Sequence, residues 1–142
     1  MNIEYVHEIS VEDYSMLRRV AGWVHIKESR AAIGLKNSAF IVVAKNEGKT
    51  IGMGRVVSDG GAVAYVADVS VLPEYQGYGI GREIMQKIMD FIRHELSEEG
   101  LSVYALLISA QGKESFYNKF GFVTRPTGDR GAGMTQWIAA RE

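Results

Sequence analysis

The chain has 142 residues, 46% hydrophobic and 23% charged, with 16 Lys and Arg against 17 Asp and Glu for a formal net charge of -1. That length buries enough surface to fold as one domain, residues 1–142, without disulfides or metals; the absence of cysteine excludes disulfide scaffolds, thiolate-zinc fingers, iron–sulfur proteins and catalytic-cysteine enzymes, and suits a reducing cytoplasm. The balanced charge leaves no pull toward nucleic acid, and neither the apolar run 103–108 nor the acidic N-terminal stretch reads as a membrane span or secretory signal. Residues 2–8 alternate apolar Ile3 and Tyr5 with polar neighbours, which predicts a first strand. Ser10 followed by Asp13 resembles a capping box, and Tyr14, Leu17, Val20 and Ala21 continue at helical spacing. Residues 23–34, bracketed by Gly22 and Gly34, fit a short helix. From Phe40 the pattern is FIVVA, a turn NEGKT, IGMGRVV, a turn SDGGA and a run over 64–72, an antiparallel meander that Pro73 ends.

Next come the glycine cluster QGYGIG and a long helix with Ile84, Met85, Ile88, Met89, Ile92 and Leu96 on one stripe, closed by Gly100. VYALLI reads as a strand covered on both faces, and residues 111–120 as a helix stopped at Gly121. Residues 122–139 read as two strands joined by the glycine-rich loop RPTGDRGAG. The order is α/β with a mixed sheet, in which the strand before the long helix and VYALLI form a parallel pair through a right-handed crossover.

There are 16 glycines against 2 prolines, and their positions carry the functional reading. A strand that passes through Gly77, Gly79 and Gly81 into a helix offers free amides and the positive end of a helix dipole to an anion, with a pyrophosphate the expected guest. The same glycines also suit a plain tight connection. Two other readings fail on spacing. Gly48-Lys49-Thr50 lacks the first glycine of a Walker loop, since Val43 stands there, and GxGxG is not the GxGxxG of a dinucleotide fold. The 128–133 cluster reads as a loop.

Gln76-Gly77-Tyr78-Gly79-Ile80-Gly81 fits Q/R-x-x-G-x-G/A, preceded by V-x-V-x-P-x-Y as Val69, Val71, Pro73 and Tyr75, and followed by Phe116-Tyr117 and Gly121-Phe122. In these blocks, their order and their distance, the chain resembles the GNAT superfamily of acyl-CoA-dependent N-acetyltransferases. The resemblance implies a GNAT fold: a mixed, mostly antiparallel central sheet of about six to seven strands with a splayed parallel pair, flanked by about four helices. It implies acetyl-CoA as co-substrate, held by the main chain at Val69, Ser70 and Val71 and by the turn Gln76, Gly77, Tyr78, Gly79, Ile80 and Gly81. Arg82, Ser109 and Phe116 are further candidates for that site; Ser109 stands where many members carry an asparagine.

Acetyl transfer to an amine needs a neutral amine, a polarised carbonyl and a protonated leaving thiolate. Tyr117 matches the family tyrosine that serves as general acid. The family's early strand glutamate is missing from 63–67, and Asp68 is the nearest acid. It either orients the amine, acts as base through a water, or accepts hydrogen bonds from a turn. Trp23 and His25 fall in the region that lines the acceptor pocket of the family. No metal-ligand spacing is visible. The expected activity is direct transfer to a primary amine of a small molecule, in a cytoplasmic protein expected to be a homodimer. The alternative is a non-catalytic acyl-CoA-binding domain on the same fold.

Overall fold

Ser10 caps the first helix, α1 (Val11–Val20), as its spacing predicts: its Oγ accepts from the Asp13 amide at 3.0 Å. The box is half made. Asp13 turns its carboxylate to the sheet instead, where it accepts from the Thr50 hydroxyl at 2.7 Å, and Thr50 is buried. One aspartate thus both stabilises a helix start and fixes that start on the strand beneath it.

The computed structural model describes residues 1–142, which divide into two compact units, residues 1–108 and 109–142. The first holds a five-stranded sheet in the order β1 (Ile3–Val6), β2 (Phe40–Asn46), β3 (Lys49–Val57), β4 (Val63–Val71) and β5 (Tyr104–Leu106). β2 to β4 pair antiparallel as the meander predicts, β1 adds antiparallel to β2, and β4 pairs β5 in parallel. Glu47 at φ 50° and Gly48 at φ 84° supply the two left-handed residues of a tight hairpin between β2 and β3. Gly48-Lys49-Thr50 is therefore turn and strand.

α1 and α2 (Glu28–Lys36) bury Tyr14, Leu17, Ala31 and Leu35. α2 starts later than the sequence bracket predicts, because residues 21–27 are a connection. α3 (Ile80–Phe91) buries Ile80, Ile84, Met85, Ile88 and Met89 and packs on β2, β3 and β4. Burial of each such side chain stabilises by about 1.5–3 kcal/mol. α3 then loosens into a π-helical turn, Ile92–Leu96, and Gly100 at φ 80° lies in a turn beyond it.

The close approach of α3 depends on two glycines of β3. A Cβ on Gly54 would stand 2.7 Å from Ile88 Cδ1 and 2.9 Å from Ile84 Cγ2, and one on Gly52 would stand 2.8 Å from the Ser70 carbonyl oxygen. Gly54→Ala is expected to destabilise by about 1–3 kcal/mol through overpacking, read as a lower denaturant midpoint at unchanged m-value. An unchanged midpoint would show that the two isoleucines yield freely.

β5 corrects one expectation. It is a three-residue edge strand with Tyr104 and, beyond its end, Ile108 exposed, so VYALLI is not covered on both faces. Its pairing stops at Tyr65↔Leu106, while β4 continues to Val71.

In the second unit, α4 (Glu114–Asn118) is shorter than the predicted 111–120 helix. Gly121 at φ 90° ends it, with its amide on the Asn118 carbonyl at 3.0 Å, and Asn118 Nδ2 donates to the Phe122 carbonyl at 2.8 Å. The two strands expected over 122–139 do not form. Thr127 and Arg130 pair across a turn at Gly128, and Met134, Trp137 and Ile138 are 92%, 85% and 78% exposed. A short apolar run suggests a strand, but a ladder also needs a partner edge. The sheet therefore has five strands instead of six or seven; the four helices are as expected.

Candidate active site

β4 is where the first unit departs from regular structure. Ser70 faces Met53 and Ala67 faces Arg55, so Asp68 and Val69 together stand opposite Gly54 in a β-bulge. Asp68 sits at φ 57°, in the left-handed region. Past this point no β5 residue pairs with β4, so the two strands part as the splay predicts. Val69 Cγ2 and Val71 Cγ2 stand 3.3 Å from the Cβ positions of Gly54 and Gly52, on the α3 side, while Ser70 Oγ is buried without a partner.

Beyond β4 a short 3-10 turn, Pro73–Tyr75, leads into the glycine cluster. Gly77 at φ 86° and Gly79 at φ 81° need the freedom of glycine, and a Cβ on either would meet nothing within 4 Å. Gly79 is the N-cap of α3 and makes no side-chain cap bond. The first amides of the helix precede its own ladder and point outward at its positive end. Gln76 directs its side chain inward, donating from Nε2 to the Val71 carbonyl at 2.9 Å. Tyr78 is exposed, and Ile80, Gly81 and Arg82 form the first turn of α3. An uncapped, open helix start after a parted strand fits a pyrophosphate and its pantetheine arm.

Asp68 lies at the centre of a polar cluster. Its carboxylate accepts from the Tyr14 hydroxyl at 2.6 Å, from Arg18 Nη1 at 2.8 Å and from Arg55 Nε at 2.6 Å. The side chains of Asp68, Arg18 and Arg55 are 11%, 14% and 16% exposed. Arg55 Nη1 also donates to Ser38 Oγ at 3.1 Å. Burial lowers the Arg55 guanidinium, but the bond and charge of Asp68 outweigh it and leave the group above its ordinary value. Sequence reasoning singled out Asp68 but missed Tyr14, Arg18 and Arg55. The signal was partly present, since Arg55 and Asp68 are each a charge inside a largely apolar strand.

Trp23 and His25 lie in the connection between α1 and α2. Arg18 holds that connection, with its guanidinium 5.4 Å from the Trp23 ring centre and Nη2 donating to the Val24 carbonyl at 3.0 Å. His25 is exposed. A cavity of about 570 Å³ lined by His7, Glu8, Leu35, Lys36, Phe40 and their neighbours includes no residue of β4 or of the glycine turn. It meets the Asp68 cluster at Ser38.

In the second unit, Tyr117 is half-buried in α4 and packs edge-on to Phe116 at 5.0 Å. Ser109 Oγ donates to the Ala110 carbonyl at 2.7 Å. Burial pushes the Tyr117 phenol up; burial and then the Asp68 bond push Tyr14 up. Each favours the folded state below the ordinary phenol value near 10, and that contribution is lost as pH rises through the raised folded value. Alkaline unfolding is therefore expected above pH about 10, with the 295 nm tyrosinate signal of Tyr14, assigned by difference from Tyr14→Phe, appearing late. Its ionisation at or below its ordinary value would contradict this.

No three His, Cys, Asp or Glu side chains are grouped to hold a metal, and no helix is long and apolar enough to cross a membrane.

A family model described as acetyltransferase (GNAT) domain matches residues 37–124, more than half of the chain. The chain is 32% identical over 128 residues to an uncharacterized N-acetyltransferase ycf52 of Porphyra purpurea, covering 87% of this chain and 70% of that protein. It is 30% identical to the histone acetyltransferase TAP1 of Glycine max, covering 87% of this chain and 56% of that protein. A crystal structure of a probable acetyltransferase from meticillin-resistant Staphylococcus aureus superposes with a TM-score of 0.84 at 37% identity, over 96% of this chain and all of that one. With the parted β4, the glycine turn and these likenesses, the chain belongs to the GNAT family and is an acetyltransferase enzyme.

Proposed function

We propose that residues 1–142 act as one GNAT domain that moves an acetyl group from acetyl-CoA to a primary amine of a small molecule. The observation that carries this reading is the conjunction in one strand-to-helix passage of a bulge, a parted neighbour and an uncapped helix start. Val69, Ser70 and Val71 would hold the pantetheine arm by their backbone, and Gln76 to Gly81 would cradle the pyrophosphate, with Arg82, Ser109 and Phe116 as further contacts. When bound, the thioester supplies an acyl carbonyl and a thiol leaving group. Tyr117 holds a proton on its hydroxyl for the departing sulfur; Asp68 orients; Trp23 and His25 face the acceptor.

The small-amine reading rests on charge. With 16 basic against 17 acidic residues, the chain has too small an acidic excess to gather a polycationic tail. The name of the soybean relative assigns a histone acceptor to that protein, so a lysine peptide belongs in the test. The same reading takes the protein to be a cytoplasmic homodimer, for which the cysteine-free composition suits the compartment and sedimentation checks the assembly.

The experiment is thiol release from acetyl-CoA with a panel of small primary amines and a lysine-rich peptide. Turnover with a small amine above the hydrolysis background is expected. Preference for the peptide would overturn the acceptor class, and binding of acetyl-CoA without turnover on any amine would favour the non-catalytic domain.

A further inference from the structure

A non-glycine residue at φ 57° in the middle of a strand is held there by its surroundings. At Asp68 the surroundings are explicit. Both carboxylate oxygens are engaged, Oδ2 by Tyr14 and Arg55 and Oδ1 by Arg18. An ionised carboxylate has about four acceptor directions, and three are used. The direction left over is on Oδ1, and a proton taken there would neutralise the carboxylate that two nearly buried guanidinium groups share.

Arg18 continues the chain of contacts outward. One of its terminal nitrogens is on Asp68 and the other on the Val24 carbonyl, and its face lies over Trp23. A planar guanidinium that bridges two elements in this way sets their separation and orientation. The residue that fixes the bulge of β4 is therefore tied, through one side chain, to the connection over 21–27.

We propose that Asp68 is a positioning residue whose carboxylate, through Arg18, sets the bulge of β4 and the Trp23–His25 connection as one piece, so that the strand for the acyl donor and the loop for the amine are registered together. This rests on the acetyltransferase reading for its kinetic arm, but its structural arm can be read without turnover. Arg18→Met cuts the link to the connection while Asp68 keeps Arg55 and Tyr14. Asp68→Asn weakens both ends.

The test uses the full chain with Trp137→Phe, which leaves Trp23 as the reporter, since the chain has 2 tryptophans and Trp137 is exposed. Both variants are expected to shift Trp23 emission to the red and increase its quenching by acrylamide. In turnover, Arg18→Met is expected to raise the amine KM roughly tenfold with the acetyl-CoA KM unchanged, and Asp68→Asn to raise both, each keeping the pH dependence of kcat. Trp23 emission unchanged in both variants would overturn the proposal. So would a kcat that collapses in Asp68→Asn with an altered pH profile and unchanged KM values, the pattern of a base. If Asp68→Asn does not fold, the Arg18→Met split decides alone. If the parent neither binds acetyl-CoA nor turns over, the acetyltransferase reading fails, and the Trp23 emission of Asp68→Asn, which reaches Trp23 only through Arg18, still decides the coupling.

Discussion

Tyr117→Phe is expected to lower kcat by about 10²-fold, the low end of the range for general acid catalysis. The reason is the direction of its pKa. Burial holds the Tyr117 phenol above its ordinary value, whereas a thiol ionises near about 8.5. The phenol keeps its proton more tightly than the leaving sulfur would. In the proposed acid role it would therefore assist by hydrogen bonding to developing charge, full transfer running uphill. The hydroxyl is one atom, and Phe keeps the ring that packs on Phe116, so acetyl-CoA affinity and melting temperature should stay close to the parent. A kcat within about threefold of the parent would remove Tyr117 from the proton path.

Asp68→Ala is expected to destabilise the fold by about 3–5 kcal/mol, because it leaves two nearly buried guanidinium groups facing each other without their shared carboxylate. Two smaller effects add to it. The Tyr14 hydroxyl loses its acceptor, and alanine is poorly suited to φ 57° where aspartate is tolerated. Chemical denaturation reads the loss directly. A change below about 1 kcal/mol would mean that the arginines reach solvent by rotation and that the cluster is weak.

The parts of this molecule that were legible in the sequence are those where local chemistry alone dictates conformation. Ser10, the Glu47-Gly48 turn and the stripe on α3 each follow from neighbours within a few residues, and all three stand where their spacing puts them. So does the passage through Gly77 and Gly79, because left-handed φ has few tenants. What local pattern does not carry is pairing at a distance. Arg18, Arg55 and Asp68 lie on three different elements, and a charge in a strand announces a partner without naming it. Gly52 and Gly54 lie under α3, a close approach that the strand pattern alone does not announce. Over 122–139 the error had the same origin, since a short apolar run suggests a strand without supplying its pairing partner. Gly81, grouped at first with its two neighbours, lies inside α3 and is not at positive φ.

Titration calorimetry of the full chain with acetyl-CoA and with CoA tests the central claim most directly, that β4 and the turn from Gln76 to Gly81 hold the acyl donor. One molecule of either per chain is expected, with affinity lost on Gly79→Val, which forces a β-branched residue into the left-handed helix start. Absence of binding by both ligands to the folded parent would contradict it.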